Sequence, residues 1–552
     1  VKSLWKRRRR TGVDAPAPAA LAASSGWAWP SWLHVDADGT VRTDPVPWRR
    51  TGSLGAPHRA LVDPSGTVVP RLGAAALEWW VRGPDGWIRP GDVAERTQAD
   101  VAGTPVWETA IPLAGPVEGP GAGFVGRVAQ RVYGVGGAPR RVAVAVGNES
   151  GAPVAVAFVL RPCGPDGVVA VRDVDVDGAT VTVDGRPYLQ LPHGTPHRFV
   201  TSTATGGDVT GDIASPERRL DAGVHDPDGL ASFAVVYPLE HGAVVHVALL
   251  QDAVAGDVPD VAAVERSDAV VRGWRRQTDD AARWTLPDND AERFMARRPA
   301  DLLLALDACD GTDRIVVARA LLALGAASQV ATWWAGRCAE DRVDLSALVI
   351  AADCWGATRD RALVRDRLTQ IEHAAFPAAE ARGDDTPLAC AALAAAAELA
   401  AAAGADELEG SLDGLVRTFV ADGVAPFRPA PPDVAAVLAS ITAGTAEDDA
   451  VAAALGALAL RDAVVCDASD DAADELVLFG ALPEAWADGD VAVTGAPTRF
   501  GRVDLRLTRE GTTSVLQWRG LWGATEPRLR APSLSADWST TDPAGLVTFA
   551  SP

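Results

Sequence analysis

Alternation of apolar and polar positions marks the first half of the chain as strand-forming. Over 141–146, Val142, Val144 and Val146 recur at every second residue, and a Gly147-Asn148-Glu149-Ser150-Gly151 turn follows. A residue repeat of two puts one set of side chains on one face of a sheet, so 141–146 predicts a strand and 154–160 the strand that returns. Further strands are predicted at 168–176, 180–183 and 188–191. Asp177-Gly178 and Asp184-Gly185 separate them, and Asp-Gly between β-branched runs favours the tight turn of a hairpin. The stretches 233–239 and 243–250 flank Glu240-His241-Gly242 in the same way. Residues 1–135 are less regular, with hairpin signals at Asp63-Pro64-Ser65-Gly66 and Asp85-Gly86. Many short strands at this spacing predict a large antiparallel β-sandwich over 1–257.

The repeat then changes. Val261, Val264, Val271 and Trp274 fall at near-helical spacing after Pro259, which predicts a linker helix within 258–285. Leu286-Pro287-Asp288 breaks it. Ten helices are expected from there, near 290–308, 313–324, 328–339, 345–356, 358–375, 386–403, 406–421, 432–442, 447–464 and 470–479. Stops are expected at Gly311, Gly325, Gly356, Gly383, Gly404, Gly423 and Gly444. Short links between helices of similar length favour antiparallel neighbours, so 286–488 reads as an array of α-hairpins. From 489 to 552 the alternation returns, with Val503, Leu505 and Leu507 set against Asp504, Arg506 and Thr508. That segment is too short for a separate domain and should dock as a β appendage on the helices or the sandwich.

Composition narrows the classes. The formal charge of −22 argues against a nucleic-acid partner, because neutralising phosphates needs a surplus of Lys and Arg on some face. Methionine occurs once, at Met295, and the chain is read as opening at Val1. The basic run Lys6-Arg7-Arg8-Arg9-Arg10 could open an export signal. The following segment 11–25 carries Asp14, Pro16 and Pro18 and is mostly alanine, so the expectation is a cytoplasmic protein. No membrane span is expected, since only alanine runs approach the necessary length. Six cysteines without a CxxC motif read as free thiols, with Cys309, Cys338, Cys354 and Cys390 at core-like helical positions. Nine of the eighteen tryptophans fall within 1–135. They read as core and edge fillers of a thin sandwich, with a sugar-stacking platform as the competing reading.

Several stretches carry a resemblance. They are 144–153 (Val-Ala-Val-Gly-Asn-Glu-Ser-Gly-Ala-Pro), Gly273-Trp274-Arg275-Arg276-Gln277, Leu286-Pro287-Asp288, Pro497-Thr498-Arg499-Phe500-Gly501 and Asp537-Trp538-Ser539-Thr540-Thr541. With the order sandwich, linker helix, hairpins and β appendage, the chain resembles glycosidases of the six-hairpin, (α/α)-toroid kind, and within them a group of actinobacterial glycosidase-like proteins. The resemblance implies a carbohydrate-active or carbohydrate-binding protein with an oligosaccharide or glycoside as partner and no cofactor. None of these stretches is an active-site signature, so it transfers no catalytic residue. The helical part is short for a full ring of twelve helices, which implies a shortened toroid and leaves room for lost catalysis. The rival class is a noncatalytic α-solenoid and sandwich scaffold that binds another protein.

Glycoside hydrolysis uses two carboxyl groups, one protonated and one ionised. The best-placed acid is Asp353 in Asp353-Cys354-Trp355-Gly356, with Trp333-Trp334 one hairpin earlier. Asp353 is the candidate catalytic residue, and Trp333, Trp334 and Trp355 are the candidate substrate-binding residues. The competing reading is packed tryptophans beside a solvated or capping Asp. Asp384-Asp385 before Thr386-Pro387 reads as a helix cap, and Glu372-His373 as surface. His193 and His197 are four apart, but Pro192, Gly194 and Pro196 forbid the helix that would let them share a metal, so no metal site is expected. Gly134-Val135-Gly136-Gly137 reads as a turn.

Overall fold

The computed structural model describes residues 16–550 apart from 57, 84–85, 115–124, 194–197, 204–205, 215–222, 253–259, 381–384, 426, 428–432, 444–448 and 468–473. The basic run at the start, Asp85, His197, Gly383, Asp384 and Gly444 lie outside the described residues. The fold is multidomain β plus α, with large antiparallel sheets, a helical region and a C-terminal strand cluster. It divides into two compact units, Val1–Trp274 and Arg275–Pro552.

The first unit is a sandwich. One sheet has nine strands in the order Gly223–His225, Asp173–Asp177, Thr180–Val183, Arg186–Gln190, Val244–Leu250, Arg141–Asn148, Val125–Val135, Thr104–Ala114 and Thr97–Val101. The other runs Arg198–Ser202, Ser232–Leu239, Val154–Arg161, Ala76–Gly83, Val68–Val69, Ala60–Val62 and Arg49–Thr51, with Gly86–Ile88 added beside Ala76–Gly83. The two Asp-Gly signals work as expected. At the second, Val183 pairs with Arg186, and the two loop residues Asp184 and Gly185 have φ of 49° and 72°, the left-handed pair a type I′ turn requires.

Two expected returns are not hairpins. The strands Arg141–Asn148 and Val154–Arg161 belong to opposite sheets, as do Ser232–Leu239 and Val244–Leu250. Each connection arches across the core, and Asn148 ties the two arches together. Its amide nitrogen donates to Ala152 O (2.8 Å) and Leu239 O (3.0 Å), while its side-chain oxygen accepts from Ser150 N and Oγ. The Asn148 backbone also exchanges hydrogen bonds with Gly242 and Ala243 in the neighbouring arch. The family-like stretch around Asn148 is therefore a structural clasp.

Between the sheets the core takes alternate residues of both, including Val142, Val144, Val146, Val156, Phe158, Leu160, Val247 and Leu249. Trp29, Trp32, Trp79, Trp80 and Trp107 are buried. The Asp63 turn is confirmed as a hairpin. Its carboxylate accepts from Ser65 N, Thr67 N and Trp32 Nε1, each at 2.8 Å. Gly134 and Val135 end a strand rather than opening a turn, and a Cβ at Gly134 would run into the backbone of Gly52.

Helices α1 (Pro18–Ala23), α2 (Val209–Ala214) and α3 (Ser267–Gln277) accompany the sandwich. The linker is shorter than its apolar spacing predicts. A 3-10 turn at Val261–Ala263 precedes α3, and Arg283–Thr285 is a strand.

The second unit holds α4 (Asn289–Leu306), α5 (Gly311–Ala323), α6 (Ala327–Ala339), α7 (Leu345–Thr358), α8 (Ala362–Arg365), α9 (Leu368–Ala375), α10 (Thr386–Ala403), α11 (Asp406–Ala421), α12 (Val434–Thr442) and α13 (Ala450–Val464). Gly325, Gly404 and Gly423 stop helices with φ of 96°, 76° and 80°. Gly356 lies inside α7, which ends on Arg359 in the left-handed region (φ 54°). The expected helix at 358–375 is split into α8 and α9; of the one expected at 470–479, residues 470–473 lie outside the described residues and the rest carries the strand Glu475–Leu478, which pairs with Val465–Asp467.

Neighbouring helices follow the sequence α11, α10, α7, α5, α13. Helix α6 lies against α5 and α7, while α4 and α12 lie against α13. Among the described residues, no comparable pairing joins α11 to α12 or α13. Helix α10 is long and apolar enough, by length and composition, to cross a membrane; half of it is buried, against α7 and α11 among others.

The C-terminal strands dock on the helices. Arg283–Thr285, Val491–Thr498, Gly501–Glu510, Thr513–Trp522 and Ala544–Ala550 form one sheet, in contact with α4 and α5. Buried Arg461 of α13 clamps the junction, donating to Asp467 Oδ2 (2.8 Å) and Pro497 O (3.0 Å). All six cysteines are free. Cys309 follows α4 and Cys466 lies on a strand, and both are half-buried; the other four are buried.

Candidate functional site

Three helices that are neighbours in space but far apart in sequence bring charged side chains together. Arg319 on α5 donates from Nε to Asp353 Oδ2 on α7 at 2.7 Å, with a second contact of 3.4 Å to Oδ1. Both side chains keep about a quarter of their surface exposed, 28% and 27%. Asp353 is thus neither buried alone nor free in solvent. Burial pushes its carboxyl above the ordinary value, and the Arg319 charge and hydrogen bond pull part of the way back. Within its electrostatic reach, on α10, lies Glu398, whose side chain is exposed. Its carboxyl is also raised, first by desolvation and further by the Asp353 charge, against the opposing pull of Arg359. Arg359 itself caps α7 and holds its guanidinium 5.6 Å from the centre of the Trp355 ring.

The predicted tryptophans have different surroundings. Trp355 is buried beneath Arg359. Trp334 is 1% exposed and donates from Nε1 to Leu363 O at 3.0 Å. Trp333 is half-buried, donates to Asp307 Oδ1 at 2.6 Å, and has the guanidiniums of Arg314 and Arg337 5.8 and 5.7 Å from its ring centre. Both arginines converge on Asp344, which also caps α7 through Ala347 N. Burial alone would lift the Asp344 carboxyl. The Ser346 hydrogen bond and the Arg314 charge outweigh it and bring it below the ordinary value. This second cluster fastens α5, α6 and α7 to the end of α4, with Arg314 Nε and Arg337 Nε buried and making no hydrogen bond among the described residues.

Other candidates fall outside the charged row. His193 Nε2 lies 3.1 Å from Asp260 Oδ2. Glu372 and His373 are exposed on α9, as expected. Asp385 occupies the cap position of α10 without a side-chain bond to its free amides among the described residues. No grouping of three metal-ligating side chains occurs among the described residues. Burial raises the Cys354 thiol to about 12, with the Asp353 and Asp360 charges adding to it, so a thiolate nucleophile beside Asp353 is disfavoured.

The sequence singles out Asp353 and not Arg319, Arg359 or Glu398, the charged groups around it. A signal for Glu398 existed, because it is the single charged residue in the eighteen-residue α10.

The shifted carboxyl gives a pH test. Glu398 holds its proton more tightly folded than unfolded, so the folded state binds more protons in the window just above the ordinary carboxyl range. Stability contributed there is present at low pH and falls as pH rises through the raised value. Urea midpoints at about pH 4 and about pH 7 should therefore show Glu398→Gln gaining on the parent protein as pH rises. An unchanged difference between the two would remove the shift.

No family model matches the chain, and no curated protein matches it. Among solved structures, the chain is similar to a protein assigned as a kojibiose phosphorylase from the human microbiome, with 5% identity, TM-score 0.44, and coverage of 86% of this chain and 88% of that one. It is also similar to native α-L-rhamnosidase from Aspergillus terreus, with 8% identity, TM-score 0.32, and coverage of 79% and 66%. Likenesses this distant say nothing about chemistry.

Proposed function

We propose that the protein is carbohydrate-active, with its site on the α5–α7–α10 row of the helical unit. The observation that carries this reading is the pair Asp353 and Glu398, two carboxyl groups within each other's electrostatic reach and both shifted upward. Glycoside chemistry needs one carboxyl that keeps its proton near neutral pH and one that ionises. Glu398 takes the acid role, since desolvation and the Asp353 charge both favour its protonated form. Asp353, held by Arg319, takes the ionised role. Arg359 and the covered Trp355 form the adjoining wall, with Trp333 and Trp334 fixing the hairpin behind it. The six free thiols agree with a reducing compartment, and we place the protein in the cytoplasm.

The test is a screen of aryl glycosides and oligosaccharides with the parent protein, Asp353→Asn and Glu398→Gln. Loss of turnover by about a hundredfold or more in both variants is expected for an acid and its partner. Equal activity in all three proteins would remove this pair. A second reading, a noncatalytic scaffold, is favoured by the ion pair that already occupies Asp353. It predicts no turnover in the parent protein and binding of another protein along the helices.

A further inference from the structure

We infer that the outer face of the eight-stranded sheet carries a second ligand site, a groove for one neutral pyranose ring of a carbohydrate. It belongs wholly to the sandwich and is independent of the carboxyl pair on the helices. Glu78, Trp80 and Arg82 alternate along Ala76–Gly83 and so share the sheet face turned away from the main core. On the adjacent strand Trp80 stands opposite Ala157, and Arg82 opposite Ala155. These small partners leave room above them. Trp80, 2% exposed, is held in a separate apolar cluster with Ala157, Val159, Val209, Ile213, Ala234 and Val236, against which Trp87 also packs. The result is a concavity of about 310 Å³ lined by Trp80, Arg82, Trp87, Arg89, Thr210 and Ala28, among others. That is the lower end of the range for small-molecule pockets.

The polar atoms argue for the ligand class. Among the described residues, Trp87 Nε1 and Arg89 Nε are buried donors that make no hydrogen bond, the nearest acceptor charge to Arg89 Nε being Asp92 Oδ2 at 3.9 Å. Buried donors are normally satisfied, so these two call for acceptors brought by something in the groove. Arg89 offers little net charge. Its other nitrogen already donates to Trp29 O at 2.7 Å and lies 3.8 Å from Glu78, and its guanidinium lies 5.5 Å from the Trp80 ring centre. Glu78 in turn accepts from Trp80 Nε1 at 2.9 Å. An anion would meet this compensated pair and a single exposed arginine, Arg82. A pyranose matches better: its C–H face lies on the partly exposed indole of Trp87, and its hydroxyl oxygens accept from fixed N–H groups at the rim.

The experiment titrates the full-length protein with neutral gluco-, galacto- and manno-oligosaccharides and with one acidic oligosaccharide, read by ligand-observed NMR. A neutral sugar should bind in the range of about 10⁻⁴ to 10⁻³ M. Trp87→Ala should weaken it about tenfold or more. Thr210→Trp, which fills the groove from α2 without touching the tryptophans' own chemistry, should do the same. Asp353→Asn and Glu398→Gln should leave this binding unchanged, which separates the groove from the helical site. Binding of the acidic sugar alone would overturn the assignment, and so would neutral-sugar binding indifferent to both groove variants, or no binding at all.

Discussion

Replacing Arg161 by methionine is expected to destabilise the N-terminal unit by about 3–5 kcal/mol. The side chain is 0% exposed, at the end of a central strand. Its Nη1 donates to Asp208 Oδ1 at 2.6 Å and its Nη2 to Ala28 O at 3.3 Å. The guanidinium also lies 5.2 Å from the centre of the Trp29 ring and 5.8 Å from that of Trp27, two rings that stack on each other. Asp208 is 11% exposed and would be left facing an apolar side chain. Removing one member of a buried pair is costly for that reason, more than for the attraction lost. The double variant Arg161→Met, Asp208→Leu should recover part of the loss, because the stranded charge goes too. Urea unfolding read by tryptophan fluorescence tests this. A cost below about 1 kcal/mol for the single variant would mean that the pair behaves like an exposed one.

Trp334→Ala should cost the C-terminal unit a similar amount, about 3–5 kcal/mol. The indole is buried within the helical array, and its truncation leaves a cavity between α6 and its neighbours while Leu363 O loses the nearer of its two side-chain donors, keeping Arg367 Nη1 at 3.3 Å. Trp334→Phe, which keeps much of the volume and loses the hydrogen bond, should recover most of the stability, leaving about 1–2 kcal/mol. A sugar-stacking role alone predicts the reverse pattern, with binding lost and the unfolding midpoint unmoved. Circular dichroism at increasing urea, together with the oligosaccharide titration, separates the two.

These outcomes bear on how much of the site was legible in the chain. Asp353 stands out because an acid beside an aromatic at the end of an apolar helix is locally unusual. Its partner Arg319 is thirty-four residues earlier, in a helix whose apolar residues face both ways, and no local pattern selects it from the other arginines. Trp333 and Trp334 look equivalent in the sequence. One helical step of rotation puts the first in a cage of two arginines and the second in the core.

The sequence by itself determined the kind of element at most positions and the order of the parts. Period-two alternation, Asp-Gly turns and left-handed glycines act over a few residues, and their energies do not depend on what lies across the core. It did not decide which sheet a strand joins: the arches at Asn148 and Gly242 carry the same turn residues a hairpin would. Nor did it decide the later part of the helix expected at 470–479, where pairing of Glu475–Leu478 with Val465–Asp467 prevails over local helix preference. Only the tertiary structure set Arg319, Asp353, Arg359 and Glu398 in one row, and only it packed a second apolar cluster around Trp80, with Trp87 against it, on the face turned away from the main core. Desolvation and charge pairing depend on what is near in space, and those neighbours come from helices and strands distant along the chain.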